Sequence, residues 1–552
     1  INSYSLVLSI NLSKKSQLSC YLVLTISKND TYLKGTIMKK QNTIFLIAFL
    51  MVSLVTNAQK DSMWHLNPST AEEAGIDWEK ANEFVKGKKA TTILVAVIDD
   101  GVDVEHPDLS KNIWTNSDEV VGNNKDDDGN GFVDDVYGWN FIGKTKEDNL
   151  EKARYVSMLE KKYAEMSKSE KAEDPEYANY LVVSTSFAEE VKAMNKQVKR
   201  VDKMAKYLKK VKRKHGDAPT LKDVKRTMAF GMTQRLVKGG VKRGLEKNPQ
   251  AFSRILGSIE GAQGAMASRL NYHYNKNLDQ RASNVGDDYS NVNEKVYGDN
   301  EVNYFSSGHG THVAGIIAAD GSNDFGAQGV CTTCEIMSVR TVPDGDERDK
   351  DVANSIIYAV DNGAKVINMS FGKGISPNAD VVKAAIKYAE ENNVLLVHAA
   401  GNNSSNNDEV GNYPNDKEVS GSNWLEVGAS SFRSSPKRLA EFSNYGVKGV
   451  DLFAPGHMIY STWTEKGYIS ISGTSMASPV AAGVAAYVWS YYPSLTAAQV
   501  KEVLMKSVVT IDDAQQIPGS EDLAKVSELC VTGGVVNLYN ALVLADKMVS
   551  GK

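Results

Sequence analysis

Four side chains spread along this sequence carry complementary chemistry. Ser475 lies in Gly473-Thr474-Ser475-Met476-Ala477-Ser478-Pro479, between small residues and ahead of an apolar, helix-forming run over 480–489. Proline lacks an N–H and is tolerated in the first turn of a helix, so the pattern predicts Ser475 at or just before a helix N-terminus. Free backbone N–H groups and the positive end of the helix dipole suit a developing oxyanion there. A serine hydroxyl is a weak nucleophile and needs a base, and that base needs an orienting group. His309, among the small residues of Ser306-Ser307-Gly308-His309-Gly310-Thr311-His312-Val313-Ala314-Gly315, fits the base at a second helix start; His312 falls inside that helix. Asp99, closing the apolar run 91–98, fits the orienting carboxylate. Ser475 then attacks a carbonyl, His309 takes its proton and returns it to the leaving group, and Asp99 steadies the imidazolium. Asn402, just past the apolar run 394–400, can aim its side-chain N–H at the oxyanion. A turn-forming Asn is the alternative.

The elements that must hold these groups follow from periodicity. Residues 91–98, 335–340, 364–369 and 394–400 are short apolar runs, each ending in a glycine or polar cluster. Such runs read as strands buried on both faces, and helical segments between them indicate a parallel α/β sheet. In open α/β sheets the cleft lies beyond the carboxyl ends of the strands, where Asp99 sits. Strand alternation predicts that its neighbour Asp100 faces away. Thr496-Ala497-Ala498-Gln499 predicts a capping box that opens a late helix.

From 145 to 284 the texture becomes rich in Lys, Glu, Ala and Met. Val191, Met194, Val198, Val201, Ala205 and Leu208 recur at helical steps, with lysines outside, so this stretch reads as a mainly helical insertion with a solvated basic face. Gly216-Asp217-Ala218-Pro219 breaks the helix, and Asp217 or Thr220 caps the next; residues 239–268 read as a looser helical or hinge-like part. The net charge of −5 over 552 residues does not demand nucleic acid, and no His-Glu-x-x-His zinc pattern occurs.

The chain starts with Ile1. Met38-Lys39-Lys40-Gln41-Asn42 opens a basic start, an apolar run over 43–55 follows, and Thr56-Asn57-Ala58 ends it. This is the order of an export signal with cleavage after Ala58, and residues 1–37 read as translated upstream sequence. The expected location is periplasmic or secreted, with no stable membrane span after signal removal. Segment 59–90 carries Trp64, Trp78 and Phe84, which suit packing on the main domain over 91–144 and 285–550. Cys331-Thr332-Thr333-Cys334 is a local disulfide or a pair of free thiols, and Cys530 is left unpaired. Asp126, Asp128 and Asn130, spaced before Gly131, resemble half of a calcium-binding loop; the twelfth position is Tyr137, not an acid. A solvated acidic turn is the equal alternative.

Taken together, the motifs resemble the subtilisin-like serine peptidases. They are Val97-Ile98-Asp99-Asp100-Gly101 with His106-Pro107-Asp108-Leu109, His309-Gly310-Thr311-His312-Val313-Ala314-Gly315, Ile367-Asn368-Met369-Ser370-Phe371-Gly372, Ala399-Ala400-Gly401-Asn402, and the stretch around Ser475. Their order Asp, His, Ser is that family's order. The resemblance implies a parallel sheet sandwiched between helices and peptide-bond hydrolysis through an acyl-enzyme. No cofactor is required for the chemistry, structural calcium is common, and peptides or proteins are the substrates. It casts Asp99, His309 and Ser475 as the triad and Asn402 as oxyanion donor. Ser370, Phe371 and Gly372 become a segment that pairs with substrate backbone. Asp346 and Asp349 would face that segment across the cleft and favour basic residues upstream of the cut. Asp108 and Asn323 match positions of one calcium site in the family. The 210 residues from Asp99 to His309 exceed what a compact member needs, and the insertion accounts for most of the excess. A catalytically silent binder on the same fold and a ligase or esterase are the alternatives.

Overall fold

Segment 78–85 is amphipathic and forms helix α1 (Trp78–Val85), and the apolar run before Asp99 forms strand β1 (Ile93–Asp99). Strand β2 (Gly138–Asn140) precedes the inserted helices α2 (Glu151–Ala164), α3 (Tyr177–His215), α4 (Gly231–Lys247) and α5 (Ala251–Asn271). The chain continues through α6 (Gly308–Ala318), β3 (Cys334–Arg340), α7 (Asp349–Asp361), β4 (Val366–Met369), α8 (Ala379–Glu391) and β5 (Leu395–Ala399). Strands β6 (Trp424–Ser430) and β7 (Leu452–Pro455) follow, then the hairpin β8 (Ile459–Trp463) and β9 (Gly467–Ile471). Helices α9 (Thr474–Tyr491) and α10 (Ala497–Lys506), strands β10 (Val509–Thr510) and β11 (Gly534–Val535), and helix α11 (Leu538–Ser550) complete it. This computed structural model describes residues 10–12, 18–20, 63–70, 74–304, 307–323, 325–417, 419 and 421–551. Residues 10–12 and 18–20 form a separate antiparallel pair. The export-signal reading of 38–58, and most of 1–37, lie outside the described residues.

The main sheet runs β10-β11-β7-β6-β5-β4-β1-β3-β2, parallel throughout except for the β10–β11 pair. β1 lies between β4 and β3, where the strand order reverses, so its carboxyl end opens at the topological switch point. Alternation along β1 sends Val95 and Val97 into a core with α6, α9, α10 and α11, and Ala96 and Ile98 into a second core with α7 and α8. Asp99 shares the parity of Val97 and so emerges on the α6 side. Helix α9 is buried nearly all round, as a helix apolar on every face must be.

Pro479 is not in the first turn of its helix. α9 begins at Thr474, which puts Pro479 in the second turn. Without an N–H, Pro479 leaves the carbonyl of Ser475 with no helical donor, and Ser370 Oγ donates to it instead at 2.9 Å. The proline thereby ties the serine turn to the segment after β4.

Segment 63–85 docks by its aromatics. Trp64 Nε1 donates to the His457 carbonyl at 3.0 Å, Trp78 Nε1 to the Val330 carbonyl at 2.9 Å, and Phe84 packs edge-on against Tyr539. Thr496 caps α10 in a box with Gln499. Residues 151–284 are largely helical. α3 ends at Gly216, whose φ of +78° suits glycine, and Thr220, not Asp217, caps the next short helix. Where a looser part was expected, α4 and α5 are two defined helices separated at 248–250. They pack with α3 around a core of their own, including Tyr207, Leu208, Val211, Val237, Val241, Phe252 and Leu256. The two ends of the insertion meet: Lys144 N donates to the Asn284 carbonyl at 3.0 Å.

Candidate active site

β1 delivers Asp99 and the first turn of α6 delivers His309. The Asp99 Oδ1 and His309 Nδ1 atoms lie 2.7 Å apart, with the carboxylate 3% exposed and the imidazole 35%. The Asp100 N–H donates to the same Oδ1 at 2.8 Å. Burial alone would lower the His309 pKa, but the charges of Asp99 and Asp100 override it and push the imidazole up to about 9. His312 is fully buried, its Nε2 held by the carbonyls of Ile459 and Ile469 at 3.1 and 3.0 Å. Burial depresses it to about 3. It is a neutral clasp between α6 and the β8–β9 hairpin, unlike His309, whose imidazole is pushed up beside Asp99.

Asp100 does not face away, contrary to strand alternation. β1 ends at Asp99, and the chain turns there through Gly101, whose φ is +104°. The Asp100 carboxylate swings to the start of α6. Its Oδ1 accepts the Gly310 N–H at 2.7 Å and its Oδ2 the His309 N–H at 3.3 Å. These are orphan donors of a helix N-terminus. Burial, and then the charge of Asp99, raise this carboxyl to about 7.

Ser475 stands in the first turn of α9. Its Oγ donates to the Ser370 carbonyl at 3.0 Å, rather than to His309. Nucleophile–base bonds are often long in unliganded sites and tighten when substrate binds. Asn402, exposed after β5, is oriented by Thr474: its Oδ1 accepts the Thr474 N–H at 2.8 Å and the Thr474 hydroxyl at 3.1 Å. That hydroxyl also accepts the Gly401 N–H at 3.1 Å. With Oδ1 committed, the Asn402 NH2 group is left to donate elsewhere. Thr474 was not singled out from sequence, although it adjoins Ser475 in the same motif.

Ser370, Phe371 and Gly372 leave the end of β4. Ser370 is buried and linked to Ser475, while Gly372 is exposed. Lys373 next to them pairs its backbone with Tyr413. The acidic wall expected from Asp346 and Asp349 is not free. Asp349 is 2% exposed, with Lys373 Nζ at 2.7 Å and donors from Ser376 and Asn378 at 2.8 Å. Asp346 Oδ2 accepts the Glu151 N–H at 2.8 Å. Lys373 Nζ also reaches Glu151 at 2.8 Å, and Arg154 closes on Glu151 at 2.8 Å. Burial opposes ionisation of Glu151, but Arg154 and Lys373 win and hold it at about 2. Asp346 holds the start of the insertion and Asp349 is spent on Lys373, through partners the local sequence does not reveal. Arg281, paired with Asp351 at 2.7 Å and with Asp287, anchors the other end.

The metal candidates rearrange as well. Asp108 is buried and accepts from Asn323 Nδ2 at 2.7 Å and the Ala327 N–H at 2.8 Å. Asn323 Oδ1 is taken by the Phe325 N–H. In the acidic loop, Asp126 accepts the N–H groups of Gly129, Asn130 and Gly131, and Asn130 Nδ2 donates to Asp128 and Asp135. Both act as turn residues. Among the described residues, the acidic group that could hold a hard cation is Glu119, Asp128 and Asp135, with ligand oxygens within 4.8 Å of one another. Burial raises Asp135 to about 6 despite donation from Tyr358 and Asn116. Glu119 was missed because it precedes the glycine-rich loop that drew attention. Cys331 and Cys334 form a disulfide, and Cys530 is buried and free.

The sequence model of the subtilase family matches residues 90–525. Subtilisin from Bacillus sp. (strain TA39) is 38% identical over 213 residues, which are 35% of this chain and 49% of that protein. Subtilisin DY from Bacillus licheniformis is 36% identical over 38% of this chain and 73% of its own length. Thermitase from Thermoactinomyces vulgaris is 41% identical over 32% of this chain and 60% of its own. The chain spans about half the length of the first of these relatives.

Proposed function

Because the chain belongs to the subtilase family, we propose that it is an exported serine endopeptidase that hydrolyses peptide bonds through a Ser475 acyl-enzyme. The observation that carries this reading is the 2.7 Å contact of Asp99 with His309, set beside a helix-borne Ser475 and an Asn402 whose amide is pre-oriented by Thr474. In this mechanism His309 Nε2 takes the Ser475 proton as Oγ leaves the Ser370 carbonyl and attacks the substrate carbonyl. Asp99 steadies the imidazolium through Nδ1. The oxyanion is held by the Asn402 NH2 and the N–H groups that open α9. His309 then gives the proton to the leaving amine, and water repeats the sequence to free the acid. Ser370, Phe371 and Gly372 hold the substrate backbone by strand pairing.

Calcium held by Glu119, Asp128 and Asp135 would supply structural neutralisation of three clustered carboxylates and take no part in the chemistry. Export rests on residues 38–58. Among the described residues no helix is long and apolar enough to cross a membrane. The test is labelling of the chain by a fluorophosphonate beside Ser475→Ala, with casein digestion in parallel. Labelling and digestion that both vanish in the variant support the peptidase. A well-folded protein that neither labels nor digests would overturn it in favour of a silent binder. Labelling with added-amine transfer in place of hydrolysis would mark a ligase.

A further inference from the structure

The distal lobe of the insertion carries a charge and surface pattern that the proposed hydrolysis does not use. Residues 199–247 hold 17 Lys and Arg against 4 Asp and Glu, a net +13. The whole chain is −5, so the remainder carries −18. Within this basic stretch, Met228, Phe230, Met232 and Leu236 are 64%, 63%, 78% and 54% exposed. They are not needed to close the lobe, whose core is filled by Val224, Val237, Val241 and their partners from α3 and α5. Lys210 fixes the loop that carries two of them: its Nζ donates to the Met228 carbonyl at 3.2 Å and sits 4.8 Å from the centre of the Phe230 ring. Gln234 Oε1 accepts the Phe230 N–H at 2.9 Å and sets the start of α4. On α4, Met232, Arg235, Leu236, Gly239 and Arg243 fall at steps of three and four on one side, away from buried Val237 and Val241.

We propose that this lobe is a docking surface for anionic lipid bilayers. Basic side chains alone would suit any polyanion. Four exposed apolar side chains set among them select a polyanion that also offers a hydrocarbon layer, which nucleic acid does not. The positive lobe is attracted to anionic headgroups while the acidic remainder of the chain is repelled, so the charge division also orients the molecule. This inference is independent of the catalytic assignment and holds for a silent binder equally.

The test uses the full chain with vesicles of phosphatidylcholine, alone or mixed with phosphatidylglycerol. A local reporter separates the lobe from any binding by residues 43–55: Phe230→Trp, read by quenching with brominated lipids against the parent chain. Expected are at least tenfold stronger partition onto the anionic vesicles, weakening with added salt, and extra quenching in the Phe230→Trp chain. Arg235→Glu with Arg243→Glu should lose that preference at least tenfold, as should Met232→Ser with Leu236→Ser, with hydrolysis of a soluble peptide unchanged. Equal partition onto both vesicles, no quenching beyond the parent chain, or stronger binding of double-stranded DNA than of anionic vesicles would overturn the proposal.

Discussion

Asp100→Asn isolates one charge beside the proposed base. The substitution keeps the size and one acceptor of the Asp100 side chain, so an N–H of α6 remains capped, but it removes a carboxylate that holds the His309 imidazolium. Burial and the charge of Asp99 raise the Asp100 carboxyl to about 7, below the His309 imidazole at about 9, so Asp100 is charged where His309 gives up its proton. Two unit charges about 6 Å apart interact by about 0.7 kcal/mol at the dielectric of water and by about 2.8 kcal/mol at an effective value of about 20, which brackets the effect of a carboxylate on a neighbouring ring. That corresponds to about half to two pKa units. A general base works only when deprotonated, so the acid limb of kcat/KM against pH should move down by that amount, with the plateau lowered little. The assay is a chromogenic peptide followed from pH 5 to 11 in both proteins. Stability carries a second signature. The Asp100 carboxyl is raised above its ordinary 3.8 in the folded state, so folding loses free energy as pH rises from about 4 to about 7. Asp100→Asn should flatten that decline. An acid limb that stays in place, or moves up, would refute the electrostatic role.

Asn402→Ala should lower kcat by about 10²–10³ with KM little changed, the usual cost of one oxyanion donor. Thr474→Val, which removes the hydroxyl that donates to Asn402 and accepts the Gly401 N–H but keeps the Thr474 N–H on Asn402, should cost about tenfold in kcat by the same reasoning; a kcat unaffected by it would remove the Thr474 hydroxyl from the positioning role. Lys373→Met leaves Asp349 buried without its cation and Glu151 with Arg154 alone, and should destabilise the fold by about 3–5 kcal/mol in urea unfolding. His309 is raised from 6.5 to about 9, so its contribution to stability is complete below pH 6.5 and fades by pH 9. In His309→Gln, thermal melts should lose that decline. Chelation should lower the melting temperature, calcium should restore it, and Asp135→Asn should abolish the response.

Legibility followed sequence distance. Buried strands such as β1 and β5, and caps such as Thr496 with Gln499, are local patterns and were readable as such. The meeting of Asp99 with His309 was readable through chemistry and motif order, although 210 residues separate them. Asp100 was misread because alternation holds only while a strand continues, and β1 stops one residue earlier. Asp346 and Asp349 were misread because charge counted along a segment ignores partners from elsewhere: Lys373 meets Asp349, and the Glu151 N–H meets Asp346. The acidic loop was read by its spacing around glycine, while the carboxylate cluster is assembled from Glu119 and Asp135 on either side of it. Pro479 was placed one turn early. A missing N–H can be absorbed deeper in a helix when another hydroxyl takes over the orphan carbonyl.

The contact between Lys144 and Asn284 has a consequence for how the molecule can be divided. Since the insertion leaves and rejoins the sheet at one point, a cut in the 248–250 connection severs no strand of the sheet. The first fragment would contain Asp99 and the second His309, Asn402 and Ser475, with α3 on one piece and α5 on the other. Neither piece holds the whole constellation, yet the helical pair and the central β1 strand give them two separate reasons to rejoin. The fold is thus laid out so that two fragments, each lacking part of the constellation, could bring it together again only by reassembling.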